Sequence, residues 1–353
     1  MQTTMTRVAV IGAGLAGAAA AAHLRAAGVA VVVFDKARGP GGRMSSKRVG
    51  DGQLDFGAQY FTARQQSFRQ QTALWLADGS AVQWSFEPWL FDENGLQHSR
   101  DSEQRYIGTP GMHQVVRQLL ADTEQHYQCR VAELQYSNAE YSSQHSGQWT
   151  LTTDEGASYA GFDAVIITCP PEQSRQLLAT CQVANALAAQ IPPDLLLPCW
   201  AVLLQLAQPV AHPAEGIFIR RGALSWAARQ ANKPGRTRSS VGTEQHGAWS
   251  AEQWVVHLTA ERSQQLIGQA PEQVVAVALQ ALSDVFNQPL QLTQSLCHRW
   301  LYASYNPVIE PPGLLQQGSL VLAGDWCLGG RVENAWLAGQ QAAKRLLAAG
   351  ALR

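Results

Sequence analysis

Ten residues near the amino end constrain this chain more than any other stretch. Val8, Ala9, Val10 and Ile11 make an apolar run, followed by Gly12, Gly14 and Gly17 in the spacing Gly-x-Gly-x-x-Gly. Such a run reads as a buried parallel strand. Gly12 permits the tight turn, Gly14 lets a pyrophosphate approach the backbone, and Gly17 lets the next helix pack closely on the strand. That Ala-rich helix, expected over 15–27, aims its free N–H groups and positive dipole end at phosphate. A second strand over 29–34 ends in Asp35, about 20 residues on, where a carboxylate can accept from ribose hydroxyls. The unit therefore binds a dinucleotide, and by itself does not say which.

Two further segments narrow the choice. Gly39, Pro40, Gly41 and Gly42 form a flexible turn ending in Arg43, which brings backbone amides and a guanidinium to a pyrophosphate. Near the other end, residues 319–323 read as one more buried strand, followed by Gly324 and Asp325 and by a helix from about Val332. An acid there suits the ribityl chain of FAD. The helix N-terminus suits the flavin edge, where negative charge develops on reduction. The two ends together point to FAD and to redox chemistry.

Composition excludes several classes. At 353 residues the chain has ample length for two connected domains, and a 46% hydrophobic content with a formal charge of −1 describes a globular protein. Nothing favours nucleic acid or an anionic membrane as a bulk partner. No apolar run approaches the ~20 residues of a membrane span. The opening residues lack the charged region and cleavage site of a signal peptide. The six cysteines show no C-x-x-C pair and no metal-like spacing with histidine, so we expect no metal and a cytoplasmic, reducing location. Cys327 follows Asp325 and Trp326; it is read as a small packed side chain rather than a covalent flavin link, so FAD is expected to be non-covalent.

Alternating strand and helix patterns divide the chain into discontinuous segments. Residues 1–75, 108–171 and 300–353 are expected to build the FAD-binding domain, and 76–107 and 172–299 the substrate domain. Further strands are expected over 129–134, 164–168, 200–206, 216–219 and 254–258, with a hairpin around 149–152 and helices over 112–120 and 272–285; residues 298–302 read either as lining for the cavity over the flavin ring or as a half-buried strand. Residues 236–250 are polar and read as a loop.

Candidate substrate residues have bland counterparts. Tyr60, Phe61, Thr62 and Arg64 follow the Gly-Arg turn and either face a ligand or simply pack. Arg105 and Tyr106 precede a Thr-Pro-Gly loop; the arginine either meets an anionic group or stays a surface charge. Trp226, Arg229, Lys233 and Arg236 place cations beside an aromatic, which suits an anionic, ring-bearing ligand or a solvated basic loop. His257, between Val256 and Leu258, reads as a satisfied core histidine. No Ser/His/Asp order and no metal motif stands out.

Residues 34–48, 55–64, 226–236, 298–303 and 324–333 together resemble the renalase branch of the amine-oxidase-like FAD family, especially its bacterial members, over nearly the whole chain. Asn334 stands where that branch has Gly, and Cys199 where it has Thr. The resemblance implies an α/β fold: a Rossmann-like FAD-binding domain assembled from discontinuous segments plus a mixed-sheet α+β substrate domain, the amine-oxidase and p-hydroxybenzoate-hydroxylase architecture. It implies that Asp35, Lys36, Gly42, Arg43, Gln59, Val131, Gly324, Asp325, Arg331 and Val332 hold FAD, with Gly12, Gly14, Leu15, Ala16 and Gly17 beneath the pyrophosphate. Tyr60, Phe61, Thr62, Arg64, Arg105, Tyr106 and Trp200 would frame the substrate. The implied reaction is oxidation of misreduced dihydronicotinamide dinucleotides, the 2- and 6-dihydro isomers of NAD(P), by hydride transfer to flavin N5, with O2 as acceptor and hydrogen peroxide as product. This chemistry requires no general base, in keeping with the absence of an evident catalytic side-chain set. A flavin amine oxidase or desaturase and a non-catalytic flavin redox sensor are the alternatives. The oligomeric state is not legible.

Overall fold

The structure is a computed structural model and describes residues 6–49, 52–137, 147–236 and 252–348. It contains two compact units: residues 1–42, 116–196 and 305–353 form the first, and 43–115 and 197–304 the second.

The first unit is built on a six-stranded sheet in the order 315–317, 320–322, 164–167, 7–11, 30–34 and 124–126. All its pairings are parallel except that of the two strands nearest the carboxyl end of the chain. Val8, Ala9, Val10 and Ile11 are buried between neighbours on both sides, as continuous apolar strands must be. Ile11 lies beside Phe34 and Ile167, and Ile167 beside Leu322. This register brings Gly12, Asp35, Thr168 and Ala323 to one edge of the sheet, at the carboxyl ends of its strands. There the chain leaves the central strand 7–11 toward 30–34 on one side and returns to 164–167 on the other, the reversal at which open α/β sheets bind ligands. Helix Leu15–Ala26 packs on the closing helix Val332–Ala348; a Cβ at Gly339 would strike the carbonyl of Ala16, so only glycine lets these backbones approach this closely. A three-stranded antiparallel sheet (131–137, 148–153, 158–162) belongs to the same unit.

The second unit centres on a seven-stranded mixed sheet in the order 292–305, 196–206, 253–258, 224–229, 216–219, 89–92 and 95–98. Helix Pro271–Phe286 covers one face. It starts with proline at its first position, buries Val274, Val275, Ala278, Leu282 and Val285 on one stripe, and stops at Asn287 in the left-handed conformation. Residue alternation along the strands then sorts the sheet into two faces. Trp200, Val202, Leu204 and Leu206 join the core beneath the helix, whereas Ala201, Leu203 and Val255 pack with Leu54 and Phe56 on the other face.

The expected fold class is the observed one, and most expected elements are present within one to four residues of their expected ends. The compact units divide the chain at different positions from those expected. Residues 43–75 go with the second unit, because Asp55 is ion-paired to Lys233 and Arg236 and the Phe56 carbonyl is bonded by His257 and Trp300. Residues 172–196 go with the first, where helix Pro171–Leu178 leads to Thr180, whose hydroxyl accepts from Leu134 N–H. Beyond Arg236, the loop expected over 236–250 lies outside the described residues. No helix among the described residues is long and apolar enough to cross a membrane.

Candidate functional site

The glycine turn of the first unit is shaped as a nucleotide cradle. Gly12 adopts φ +112°, a conformation that favours glycine, and its N–H donates to Phe34 O (2.8 Å). The Thr168 hydroxyl donates to the carbonyls of Ile11 and Gly12 (3.1 Å each), and a Cβ on Gly12 would strike that hydroxyl. A Cβ on Gly17 would meet Gly12 O, which explains the third glycine. Gly14 differs: a Cβ there would meet nothing within 4 Å. Its openness is not demanded by protein packing, and it lies at the N-cap of helix Leu15–Ala26, with no side chain capping the first turn. The N–H groups of Leu15, Ala16 and Gly17 have no acceptor within the helix, as in any first turn. The Gly41 N–H donates to Ala13 O (2.9 Å), and Gly42 approaches Gly14, so the second glycine turn lies against the first.

Asp35 is held in place by two backbone donors. One carboxylate oxygen accepts from Ala13 N–H (2.6 Å) and the other from Ala37 N–H (2.7 Å), which fixes the group and leaves lone pairs on both oxygens. Lys36 is exposed, with Nζ on Gln173 Oε1 (3.0 Å). Val131 opens the small antiparallel sheet. Gly324 is extended, Asp325 is buried and its carbonyl accepts from Gly330 N–H (2.8 Å), and Trp326 Nε1 donates to Cys169 O (3.1 Å). Gly329, Gly330 and Arg331 follow with φ of +85°, +82° and +79°, leading into the helix that starts at Val332. Cys327 is buried against Leu322 O, and burial pushes its thiol far above the usual range, so it is an inert packed side chain. The open glycine, the helix start without a side-chain cap and the anchored carboxylate together fit a dinucleotide.

The second unit holds a buried ionic cluster. Asp55 Oδ2 accepts from Lys233 Nζ (3.2 Å) and Arg236 Nη2 (2.5 Å); Oδ1 accepts from Ser46 Oγ (2.7 Å) and Met112 N–H (3.3 Å). Lys233 Nζ also donates to Gln59 O (3.1 Å) and Gln59 Oε1 (2.9 Å), so each of its three protons has an acceptor. Burial raises the Asp55 carboxyl, but Lys233, Arg236 and Ser46 outweigh it and hold it below the ordinary value. Burial lowers Lys233 to about 8 against the pull of Asp55, with Arg236 pushing the same way, because one carboxylate faces two cations. The alternatives of a ligand-binding or solvated basic loop both give way here to an internal cluster. Gln59 is likewise fully occupied: Oε1 accepts from Lys233 and Gln230, and Nε2 donates to the carbonyls of Asp55 and Gly57. Its side chain therefore orients the segment 55–60, leaving only backbone for a ligand. Arg43 Nη1 donates to Ala303 O (3.1 Å).

Around this cluster the sheet presents aromatic rings. Cross-strand register aligns Ala201, His257, Trp226 and Phe218 on one face. The Tyr60 ring lies 5.4 Å from Trp226, and Trp226 lies 5.0 Å from Phe218. Arg105, expected as either a ligand contact or a surface charge, is buried among Tyr60 (5.3 Å), Phe86 (5.4 Å) and Phe218 (5.4 Å), with Nη2 on Asp101 (2.8 Å). Gly216 makes room, since a Cβ there would strike Phe86 and Trp226. Arg64 pairs with Glu103 (2.6 Å) and donates to the Thr62 hydroxyl (2.9 Å). His257 Nε2 must be protonated, because its partner Phe56 O (3.1 Å) can only accept; burial lowers the ring to about 4, so it is a neutral donor.

Not every expected substrate residue joins this group. Tyr60 and Arg105 do, with Thr62 and Arg64 on the adjoining loop. Phe61 instead points into a core with Phe68 and Trp75, and its backbone exchanges two hydrogen bonds with Tyr106. The Tyr106 hydroxyl donates to Gln104 (2.9 Å). Trp200 lies on the helix-covered face, one position out of phase with Ala201; Trp226 is the indole that meets Tyr60. Asp55 was missed as an organising residue. Its one sequence signal is an acid between apolar Leu54 and Phe56, in a chain with two cations spaced three apart at 233 and 236.

Residues 10–72 match the NAD(P)-binding Rossmann-like domain family, and residues 89–347 match the flavin containing amine oxidoreductase family. Mouse (Mus musculus) renalase is 24% identical over 334 residues, covering 88% of each chain. Among solved structures, cyclohexylamine oxidase from Brevibacterium oxydans superposes with a TM-score of 0.68 at 13% identity, covering 97% of this chain and 99% of the other. Putrescine oxidase bound to putrescine gives 0.66 at 13% identity, covering 98% and 99%. At such identity these structures establish the fold.

Proposed function

Given that the chain belongs to the flavin containing amine oxidoreductase family, we propose that it oxidises misreduced dihydronicotinamide dinucleotides, the 2- and 6-dihydro isomers of NAD(P). The enzyme is an FAD-dependent oxidoreductase. When bound, FAD would supply the hydride acceptor and the relay of the electron pair to O2, so that the dihydropyridine, O2 and one proton from solvent would give NAD(P)+ and hydrogen peroxide. In the first unit, the Leu15, Ala16 and Gly17 N–H groups would bind pyrophosphate above Gly12 and Gly14, and Asp35 would bind ribose. Asp325, Arg331 and Val332 would border the flavin.

The observation that carries the substrate class is the charge and donor pattern around Tyr60 and Trp226. Asp101 and Glu103 are engaged by Arg105 and Arg64, and Arg105 is enclosed in rings. A protonated amine would meet N–H donors there, and the neighbouring carboxylates that could balance its charge are already paired, a mismatch on both counts. An acceptor-bearing, uncharged ring matches both. No base is required, since a dihydropyridine becomes aromatic by losing hydride alone, and His257 and Lys233 hold their protons in structural bonds. The residues' task is therefore to orient the ring and exclude water. Six free cysteines fit a reducing compartment.

An anaerobic titration tests the reading. Mixed dihydro isomers, made by borohydride reduction of NAD+ or NADP+, should bleach the flavin in a single reductive half-reaction, while putrescine or cyclohexylamine should not. Bleaching by amines and none by any dihydronicotinamide would overturn it.

A further inference from the structure

We propose that Arg105 Nε and Trp226 Nε1 are paired donors that read a neutral carbonyl oxygen on the substrate ring, selecting carboxamide over carboxylate. The proposal rests on the functional reading above and specifies how its substrate is recognised.

Both N–H groups are buried with no acceptor in hydrogen-bond geometry, although the Tyr60 hydroxyl lies against the Arg105 guanidinium. Their residues are 4% and 6% exposed, so solvent does not replace the missing acceptor. Such donors in a folded protein call for a partner, because an unmatched buried N–H forfeits its hydration. They also belong to one group. The Arg105 guanidinium and the Trp226 indole both flank Tyr60, at 5.3 and 5.4 Å, and both flank Phe218, at 5.4 and 5.0 Å. A planar ring entering beside these aromatics would bring a substituent toward two donors.

The chemistry of that substituent follows from charge. Arg105 uses Nη2 on Asp101 and Nη1 on Glu103 O (2.9 Å), while Glu103 is neutralised by Arg64. The charges of this group cancel in pairs. A carboxylate would add a desolvated negative charge beside Asp101 with no unmatched cation in the group. Lys233, 5.0 Å over Trp84, keeps its three protons on Asp55 and Gln59. A carbonyl oxygen, by contrast, brings lone pairs and no charge. A carboxamide and a ketone serve equally, since the donors read only the oxygen.

The test uses FAD-loaded enzyme and three oxidised dinucleotides differing at ring position 3: NAD+ (carboxamide), 3-acetylpyridine adenine dinucleotide (ketone) and nicotinic acid adenine dinucleotide (carboxylate). Dissociation constants are read from perturbation of the flavin absorbance. The first two should bind within about 3-fold of each other and the third about 10-fold or more weaker. Trp226→Phe keeps a ring and removes the N–H; it should weaken the carboxamide and ketone ligands roughly 3- to 10-fold, the range of one hydrogen bond. Arg105→Lys should act in the same direction. Equal affinity for the carboxylate ligand, or unchanged carboxamide binding in Trp226→Phe of wild-type melting behaviour, overturns the proposal. So does a shifted flavin spectrum in ligand-free Trp226→Phe, which would assign the donor to the cofactor. The wild-type comparison needs no variant, so misfolding of a variant leaves the proposal exposed to refutation. Failure of every dihydro isomer to bleach wild-type flavin is a separate result and sinks the functional reading itself.

Discussion

At the scale of single residues, Asp55 is the carboxylate on which the second unit's buried charge depends. It accepts four hydrogen bonds, two of them from cations that have no access to water. Asp55→Asn keeps the shape and removes the charge, leaving Lys233 and Arg236 buried together. Breaking such a cluster costs about 3–5 kcal/mol, and urea unfolding should show a loss of that size, without which the cluster is less buried than described. His257 sets a pH response. Folded, it takes a proton only near 4; unfolded, near the ordinary 6.5. The unfolded chain therefore binds more protons in between, and stability falls as pH drops from 6.5 toward 4. His298, lowered to about 4 by burial and by Lys47, adds to the same slope. His257→Gln, whose amide can still donate to Phe56 O, should flatten the slope of urea midpoint against pH without abolishing it. An unchanged slope would exclude His257 as a contributor.

At the scale of elements, the cofactor cradle depends on a helix pair whose spacing two glycines set. Gly17 holds helix Leu15–Ala26 against the Gly12 turn, and Gly339 holds the closing helix against Ala16 and Ala19. Gly339→Val would insert a branched side chain where Ala16 O already sits. The helices must separate, at about 1–3 kcal/mol for overpacking. The first turn at Gly14 moves with its helix. We expect a lower melting temperature together with weaker FAD retention on gel filtration; a stability loss with FAD affinity intact would show that the cradle tolerates helix displacement. Both helices were legible in sequence, because their small residues fall on the positions that pack and their ends carry glycine. Helix Gln66–Ala77 was not read in advance. Its buried side is only Phe68, Thr72 and Trp75, too narrow a stripe among glutamines to show as periodicity.

At the scale of the whole molecule, the chain passes back and forth between two units, three segments building one and two the other. What the sequence determined by itself was the dinucleotide unit and its cofactor. The glycine turn, its flanking strands, Asp35 and the Gly324 turn are each short motifs. Their geometry follows from local backbone freedom and from apolar runs of strand length, and a local cause leaves a local trace. What tertiary structure decided was which side chains share a face and which charges are free. Trp226 rather than Trp200 meets Tyr60 because pairing register, set across strands far apart in sequence, fixes which alternate residues point to each side. Lys233 and Arg236, which read as ligand-seeking cations, are consumed by an acid 178 and 181 residues away. Local composition carries no record of such a pairing, because its energy arises only when folding removes water from both partners.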